Sequence, residues 1–283
     1  MDEQGFLNLA NQIIQEGEHR NDRTGQGTIS IFSPQVITYN LENNKIPCFT
    51  TKKIAWKTTI NELLCFIHAK TNSQDFEKVG CKWWVDNTTR QFLDQRGLTS
   101  YPIGEMGPMY GWQWRHAGAE YPSTDGGFDQ LEWIINEIKT NPDSRRLMVS
   151  AFIPQDVDKG VLPPCHTFFQ FYVSAKGLSC ILYQRSADIF LGAQINVLSY
   201  SILTHMIAKL TGLKPYRFYH HIGDAHIYTS HIEAMKTQLS RVPREAPTLL
   251  IKGEQLKIED FCIDNFELQG YDPYPTIQAK MAV

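Results

Sequence analysis

No stretch of this 283-residue chain approaches the roughly 18 consecutive apolar residues that signal a membrane span. The opening Met1-Asp2-Glu3-Gln4-Gly5 has neither the positive nor the apolar region of a secretion signal, so a cytoplasmic location is expected. The six cysteines, Cys48, Cys65, Cys81, Cys165, Cys180 and Cys262, form no CxxC pair. That spacing excludes a zinc ribbon, a thioredoxin-like dithiol and a disulfide framework, and it leaves reduced thiols. Basic residues do not dominate: the formal charge is −3, and no basic run is long enough to hold duplex nucleic acid. Gly25-x-Gly27 lacks the third glycine of a dinucleotide loop, and GxxxxGK[ST] is absent. Among nine histidines, His220, His221, His226 and His231 cluster, but His226 and His231 are five apart and no HExxH accompanies them. No metal is expected.

What is present is enough apolar residue, 42%, for a sizeable core at a length near the upper limit of a single one, so one domain over 1–283 is expected. Phe6, Leu9, Ala10, Ile13 and Ile14 recur at helical spacing before Gly17. Thr28–Phe32 and Gln35–Tyr39 alternate like strands, with Ser33-Pro34 marking a bend between them. A helix is expected around Thr58–His68. The stretch from Val85 to Gly127 has five aromatics between Tyr101 and Tyr121 and is expected to be a packed irregular region. Phe128–Ile138 restores the helical period until Asn141-Pro142. Leu147–Phe152, Thr167–Val173 and Leu178–Arg185 read as strands. Ser199–Leu210 reads as a core helix ended by Gly212, and Asp224–Leu239 as a more polar one. Thr248–Ile251 and Phe266–Leu268 look like short strands. The pattern is α+β with a large mixed or antiparallel sheet, free of internal repeats.

Cys165 follows Leu162-Pro163-Pro164, and two prolines fix the backbone that carries its thiol. Rigid placement suits a nucleophile, whereas any one cysteine taken alone is more often a small buried hydrophobe. Gln184-Arg185-Ser186-Ala187-Asp188 ends a strand with donors and a charge packed together, and Arg145-Arg146 closes a turn. Arginines match phosphate oxygens and stabilise a nearby thiolate, though surface arginines are usually just solvated. Glu62 lies in an apolar helical stripe, where burial would raise its pKa toward the range useful for proton transfer. Periodicity leaves the buried and the solvent-facing placements about equal.

Together these residues resemble the thymidylate synthase family from about Phe6 to Val283. The resemblance rests on Asn21-Asp22-Arg23-Thr24-Gly25, Glu62-Leu63-Leu64, Pro108 to Arg115, Pro142 to Arg146, Pro163-Pro164-Cys165-His166, Gln184 to Asp188, Gly223 to Tyr228 and Met281-Ala282-Val283. It implies that Cys165 is the nucleophile and that Glu62, Tyr110 and Arg185 share its catalytic work. Arg23, Arg185 and Ser186 would hold the phosphate of deoxyuridylate, with Arg145 and Arg146 reaching into the partner of a sheet-to-sheet homodimer. Gln184 and Asn196 would serve the base, Asn196 reading its edge, and His226 and Tyr228 would bond the sugar hydroxyl. Asp188 would hold the pterin of methylenetetrahydrofolate, the implied co-substrate, while Trp83, Trp84, Gly192, Ile195 and Val283 would line or close the folate site.

The departures from the family pattern gather on the folate side. Gln194-Ile195 stands where Pro-Phe is usual, Cys65 where tryptophan is usual, and Trp83-Trp84-Val85 for Ile-Trp-Asp. A one-carbon adduct at carbon 5 has two fates: hydride gives thymidylate, and water gives hydroxymethyldeoxyuridylate. A polar Gln194 beside a smaller Ile195 would admit water, while Trp83 would refill the lost volume. The expected product is thymidylate. The alternative is a hydroxymethylase, and a non-catalytic nucleotide- or messenger-RNA-binding homologue stands third.

Overall fold

The computed structural model describes residues 2–22 and 25–280, the side chain of Asp2 excepted. Helix α1 (Asp2–Glu16) buries Phe6, Leu9, Ala10 and Ile13, and the Gly17 N–H closes it by donating to Ile13 O at 2.9 Å. Strands β1 (Glu18–Arg20), β2 (Thr28–Phe32) and β3 (Ile37–Asn40) follow, then α2 (Trp56–Ile67), α3 (Ser73–Lys78), α4 (Arg90–Gln95), α5 (Tyr110–His116) and α6 (Gln130–Thr140). The second half holds β4 (Met148–Ser150), β5 (His166–Ser174), β6 (Gly177–Asp188), α7 (Gly192–Thr211), β7 (Pro215–Tyr228) and α8 (Ile232–Leu239). It ends in the ribbon of β8 (Thr248–Ile251) and β9 (Phe266–Gln269).

A seven-stranded sheet runs β1-β2-β7-β6-β5-β4, with β3 beside the first half of β7. Its β6/β7 pair is parallel and its other described pairs are antiparallel. A parallel pair needs a long crossover, and α7 supplies it. That helix is buried on nearly every side and stops where Gly212 takes φ 71°, a left-handed conformation that costs glycine little. Phe169, Leu182, Phe218, His220 and Ile222 form the sheet face beneath the helices. The same alternation continues along β7 to Asp224, His226 and Tyr228, which are only partly covered. The site therefore begins where the helical cover ends.

Two expectations are corrected. Residues 224–228 are the end of β7, paired with β2; Thr229–His231 is a 3-10 turn, and the α-helix covers only Ile232–Leu239. Buried Ala225 and Ile227 alternate with polar residues that face the site, and those polar residues hide the strand period. The stretch 85–127 is not wholly irregular, because α4 and α5 lie within it. In α5, Gly111 lets the helix touch the backbone of Phe66 in α2, where a Cβ would collide with Phe66 O. β2 and β3 both lie along β7, with Ser33 at φ 54° between them, so the expected bend is real.

Candidate active site

Cys165 sits one residue before β5, at the end of the Pro163-Pro164 rail. Its backbone N–H donates to Tyr110 Oη at 2.9 Å. Arg185, from the adjacent β6, donates through Nε to Pro164 O at 2.9 Å and through Nη2 to Pro163 O at 2.7 Å. The same Nη2 lies 3.6 Å from the Cys165 sulfur. A guanidinium clamped onto the approaching backbone therefore places positive charge beside the thiol, the arrangement that stabilises a thiolate. Two of its three nitrogens are committed here.

Glu62 resolves to the buried side of α2, 6% exposed, because Trp84 folds over it and donates from Nε1 to Oε1 at 2.8 Å. Burial raises its pKa to about 7, with the Trp84 bond pulling the other way. A carboxyl so tuned exchanges protons at neutral pH. Tyr110 stacks on His166 with ring centroids 4.7 Å apart and also meets Trp84 and Phe66. Burial pushes its phenol far above the usual tyrosine range, so it stays neutral.

Asn196, near the start of α7, accepts at Oδ1 from Gln184 Nε2 at 3.0 Å. His220 Nε2 lies 2.9 Å from Gln184 Oε1, an oxygen that only accepts, so that nitrogen carries the proton. Burial holds the His220 imidazole down to about 3 and His166 down to about 4; the His166 bond to Asn196 opposes the fall. The Asn196 amide is thus oriented by a buried chain of neutral groups.

Ser186, His226 and Tyr228 share one cavity of about 640 Å³ with Asn21, Asp22 and Arg20. Asp224, also there, lies 3.0 Å from His226 Nδ1 and fixes that ring; the bond holds the Asp224 carboxyl below the usual range. Arg23 falls outside the described residues, as do Met281, Ala282 and Val283. Arg145 and Arg146 are exposed before β4, and the next residue, Leu147, accepts at O from the Phe171 N–H at 2.7 Å. Phe171 is six residues along β5 from Cys165, roughly 20 Å at strand rise. Within one chain they do not meet the thiol.

A second cleft, about 690 Å³, lies between Trp83, Leu191, Ile195, Lys52 and the segment 276–280. Asp188, three residues before the lining residue Leu191, accepts at Oδ1 from the Phe190 N–H at 3.0 Å and the Leu191 N–H at 3.3 Å. Gly192 opens α7 where an added Cβ would lie 4.0 Å from both the Asp188 Cβ and Asn196 Oδ1. Lys52 is buried with its ammonium on Phe190 O and 4.0 Å from the Phe190 ring centre. Burial lowers its pKa to about 8, against the charge of Asp188. Trp84 donates to Glu62 and is not among the residues lining this cleft, whose wall here is Trp83.

The expectation for Gln194 is corrected. Adjacent helical positions point about 100° apart, and while Ile195 faces the cleft, Gln194 is fully buried and bonds Phe190 O at 2.9 Å. It brings no polarity to this cleft. Cys65 is buried too, its thiol pushed up to about 12 first by burial and then by Glu62. Lys52 and Asp224 escaped sequence reasoning. Asp224 was within reach, since it lies inside the Gly223 to Tyr228 motif, but no local signal distinguished Lys52 from Lys53.

Residues 4–283 match the family model described as thymidylate synthase. A thymidylate synthase of Candida albicans is 46% identical over 307 residues, covering 99% of this chain and 98% of that protein. That of Saccharomyces cerevisiae is 45% identical over 296 residues, covering 100% of this chain and 97% of that protein. The human thymidylate synthase is 47% identical over 283 residues, covering 98% and 90%.

Proposed function

The chain belongs to the thymidylate synthase family, and from that premise we propose that it methylates deoxyuridylate to thymidylate as a single catalytic domain over 1–283. The observation that carries this is the convergence on Cys165 of the Arg185 guanidinium, the Tyr110 hydroxyl and, beyond Tyr110, the buried Glu62. Uracil carbon 5 is a poor nucleophile until a thiolate adds to carbon 6, and Cys165 is the thiol so placed. The enolate that results needs donors at the ring oxygen, and Asn196 Nδ2 supplies them while its Oδ1 accepts from the ring N–H. Glu62, titrating near neutrality, moves the protons with Tyr110 beside it.

Methylenetetrahydrofolate would supply the one-carbon unit and the hydride. The cleft between Trp83, Leu191 and Ile195 fits its ring, with Lys53 at its edge for the acidic tail and, in this reading, the Asp188 carboxylate for pterin N–H groups. Arg185, Ser186 and Arg23 take the nucleotide phosphate in this reading, and His226 and Tyr228 the sugar. Phe168 and Tyr183 stack on the sheet face away from the helices, where Tyr172 is 64% exposed. That aromatic face supports a sheet-to-sheet homodimer, and the distance of Arg145 and Arg146 from Cys165 supports their donation to the partner. A cytoplasmic location fits a chain in which no described helix is long and apolar enough to cross a membrane.

The hydroxymethyl product loses its main support with Gln194 turned into the core. Incubating the protein with deoxyuridylate and methylenetetrahydrofolate, then weighing the nucleotide and following dihydrofolate absorbance, tests the proposal. Methyl product with stoichiometric dihydrofolate is expected. A product bearing an extra oxygen would establish the hydroxymethylase, and no release of tritium from carbon 5 would leave only a binding role.

A further inference from the structure

Gln194 of α7 and Gln238 of α8 are both fully buried, and their amides pair reciprocally at 3.1 and 3.2 Å. The pair is satisfied at both ends. Gln238 Nε2 spends its other hydrogen on Thr51 Oγ1 at 3.0 Å, and the Thr51 hydroxyl donates to Glu3 Oε1 at 2.5 Å. Gln194 Nε2 has two hydrogens, and its two nearest acceptors are Phe190 O at 2.9 Å and Gln238 Oε1 at 3.1 Å. Phe190 O also receives the Lys52 ammonium. One continuous line of hydrogen bonds thus runs from α1 through residue 51 and α8 to the turn at 188–191.

That turn carries the cleft. Its amides hold Asp188 Oδ1, Leu191 forms a wall, and α7 begins at its end with Ile195 one turn on. The Asp188 carboxylate grips the turn from the N–H side and Gln194 with Lys52 from the carbonyl side. Neither glutamine lines the cleft. Two buried primary amides are costly to leave half-paired, so each holds the other in place.

We propose that Gln238, acting through Gln194, is a positioning residue for the folate cleft: the amide pair fixes the 188–191 turn and with it Asp188, Leu191 and Ile195. The part concerning folate rests on the functional reading above. Gln238→Met keeps the volume and removes the hydrogen bonds. It speeds hydrogen exchange at the Phe190 and Leu191 amides and raises the KM for methylenetetrahydrofolate about 3- to 10-fold, leaving the KM for deoxyuridylate in place. Gln194→Met does more, and the double variant matches Gln194→Met alone, because the two residues act in series. Gln238→Asn, which keeps the amide on a shorter stem, serves if the methionine variants do not fold, and the same direction is expected.

Unchanged exchange at Phe190 and Leu191 overturns the proposal. So does faster exchange with an unchanged folate KM, or a double variant whose effects multiply. If the wild-type protein turns over no deoxyuridylate, the functional reading falls. The exchange arm, which needs no substrate, still decides whether the amide pair holds the turn.

Discussion

At Cys165 a single side chain is governed by partners from two elements, Tyr110 of α5 and Arg185 of β6. Cys165→Ser is expected to abolish turnover, because an unactivated hydroxyl is a far weaker nucleophile than a thiolate. The backbone bonds to Tyr110 and Arg185 do not involve the sulfur, so the variant keeps its fold and binds deoxyuridylate, which titration calorimetry measures. Substantial residual turnover would remove Cys165 from the nucleophile's role. Asn196 presents an amide whose Oδ1 is already held by Gln184. Asn196→Asp is expected to shift the ratio of kcat/KM toward deoxycytidylate, whose amino group complements a carboxyl where uracil's oxygen does not. An unchanged ratio would mean that another group reads the base.

Between elements, the site depends on how closely α5 lies against α2, and Gly111 sets that spacing. Tyr110 and Glu62 stand on these two helices. Gly111→Ala drives a methyl into the Phe66 carbonyl, and separating the helices to admit it is expected to cost about 1–3 kcal/mol. Activity should fall further than stability does, since Tyr110 is displaced from the Cys165 N–H and Trp84 from Glu62. Urea unfolding and kcat measured on the same preparation separate the two. A loss of stability with kcat intact would show that the spacing is structural only. The elements with a clean period, α1, α6, β5 and β6, appear where the sequence places them to within a few residues. β7 does not, because its site-facing side chains are polar and its pairing partners, β2 and β6, are remote or parallel.

For the whole molecule, burial keeps His166 and His205 neutral down to about pH 4 and His220 to about 3. The unfolded chain binds these protons near its ordinary value of about 6.5, so their contribution is intact above that pH and is lost as pH falls toward 4. Glu62, raised to about 7, works in the opposite sense and regains part of the loss. A net fall on the order of 4 kcal/mol is expected from pH 7 to pH 5, read as a lower urea midpoint; a midpoint that holds or rises would contradict it. The proposed dimer makes a separate claim. Cys165→Ser protein and Arg145→Ala/Arg146→Ala protein, each inactive, should on subunit exchange regain about one quarter of full activity, since half the dimers carry one complete site. No recovery in exchanged dimers would place the two arginines outside the partner's site. The sequence by itself determined the family, the Pro163-Pro164 rail in front of Cys165 and the periodic helices and strands, because those signals are local in the chain. Only the tertiary structure decided that Glu62 is buried, that Gln194 turns from the cleft to pair with Gln238, that Asp224 orients His226 from a strand, and that Lys52 enters the cleft. Each of these depends on a partner brought close by folding: Trp84 for Glu62, Gln238 for Gln194, the β2 pairing for Asp224 and Phe190 for Lys52. Hydrophobic period reports which side of an element is apolar, and it carries no information about which distant side chain will cover that side.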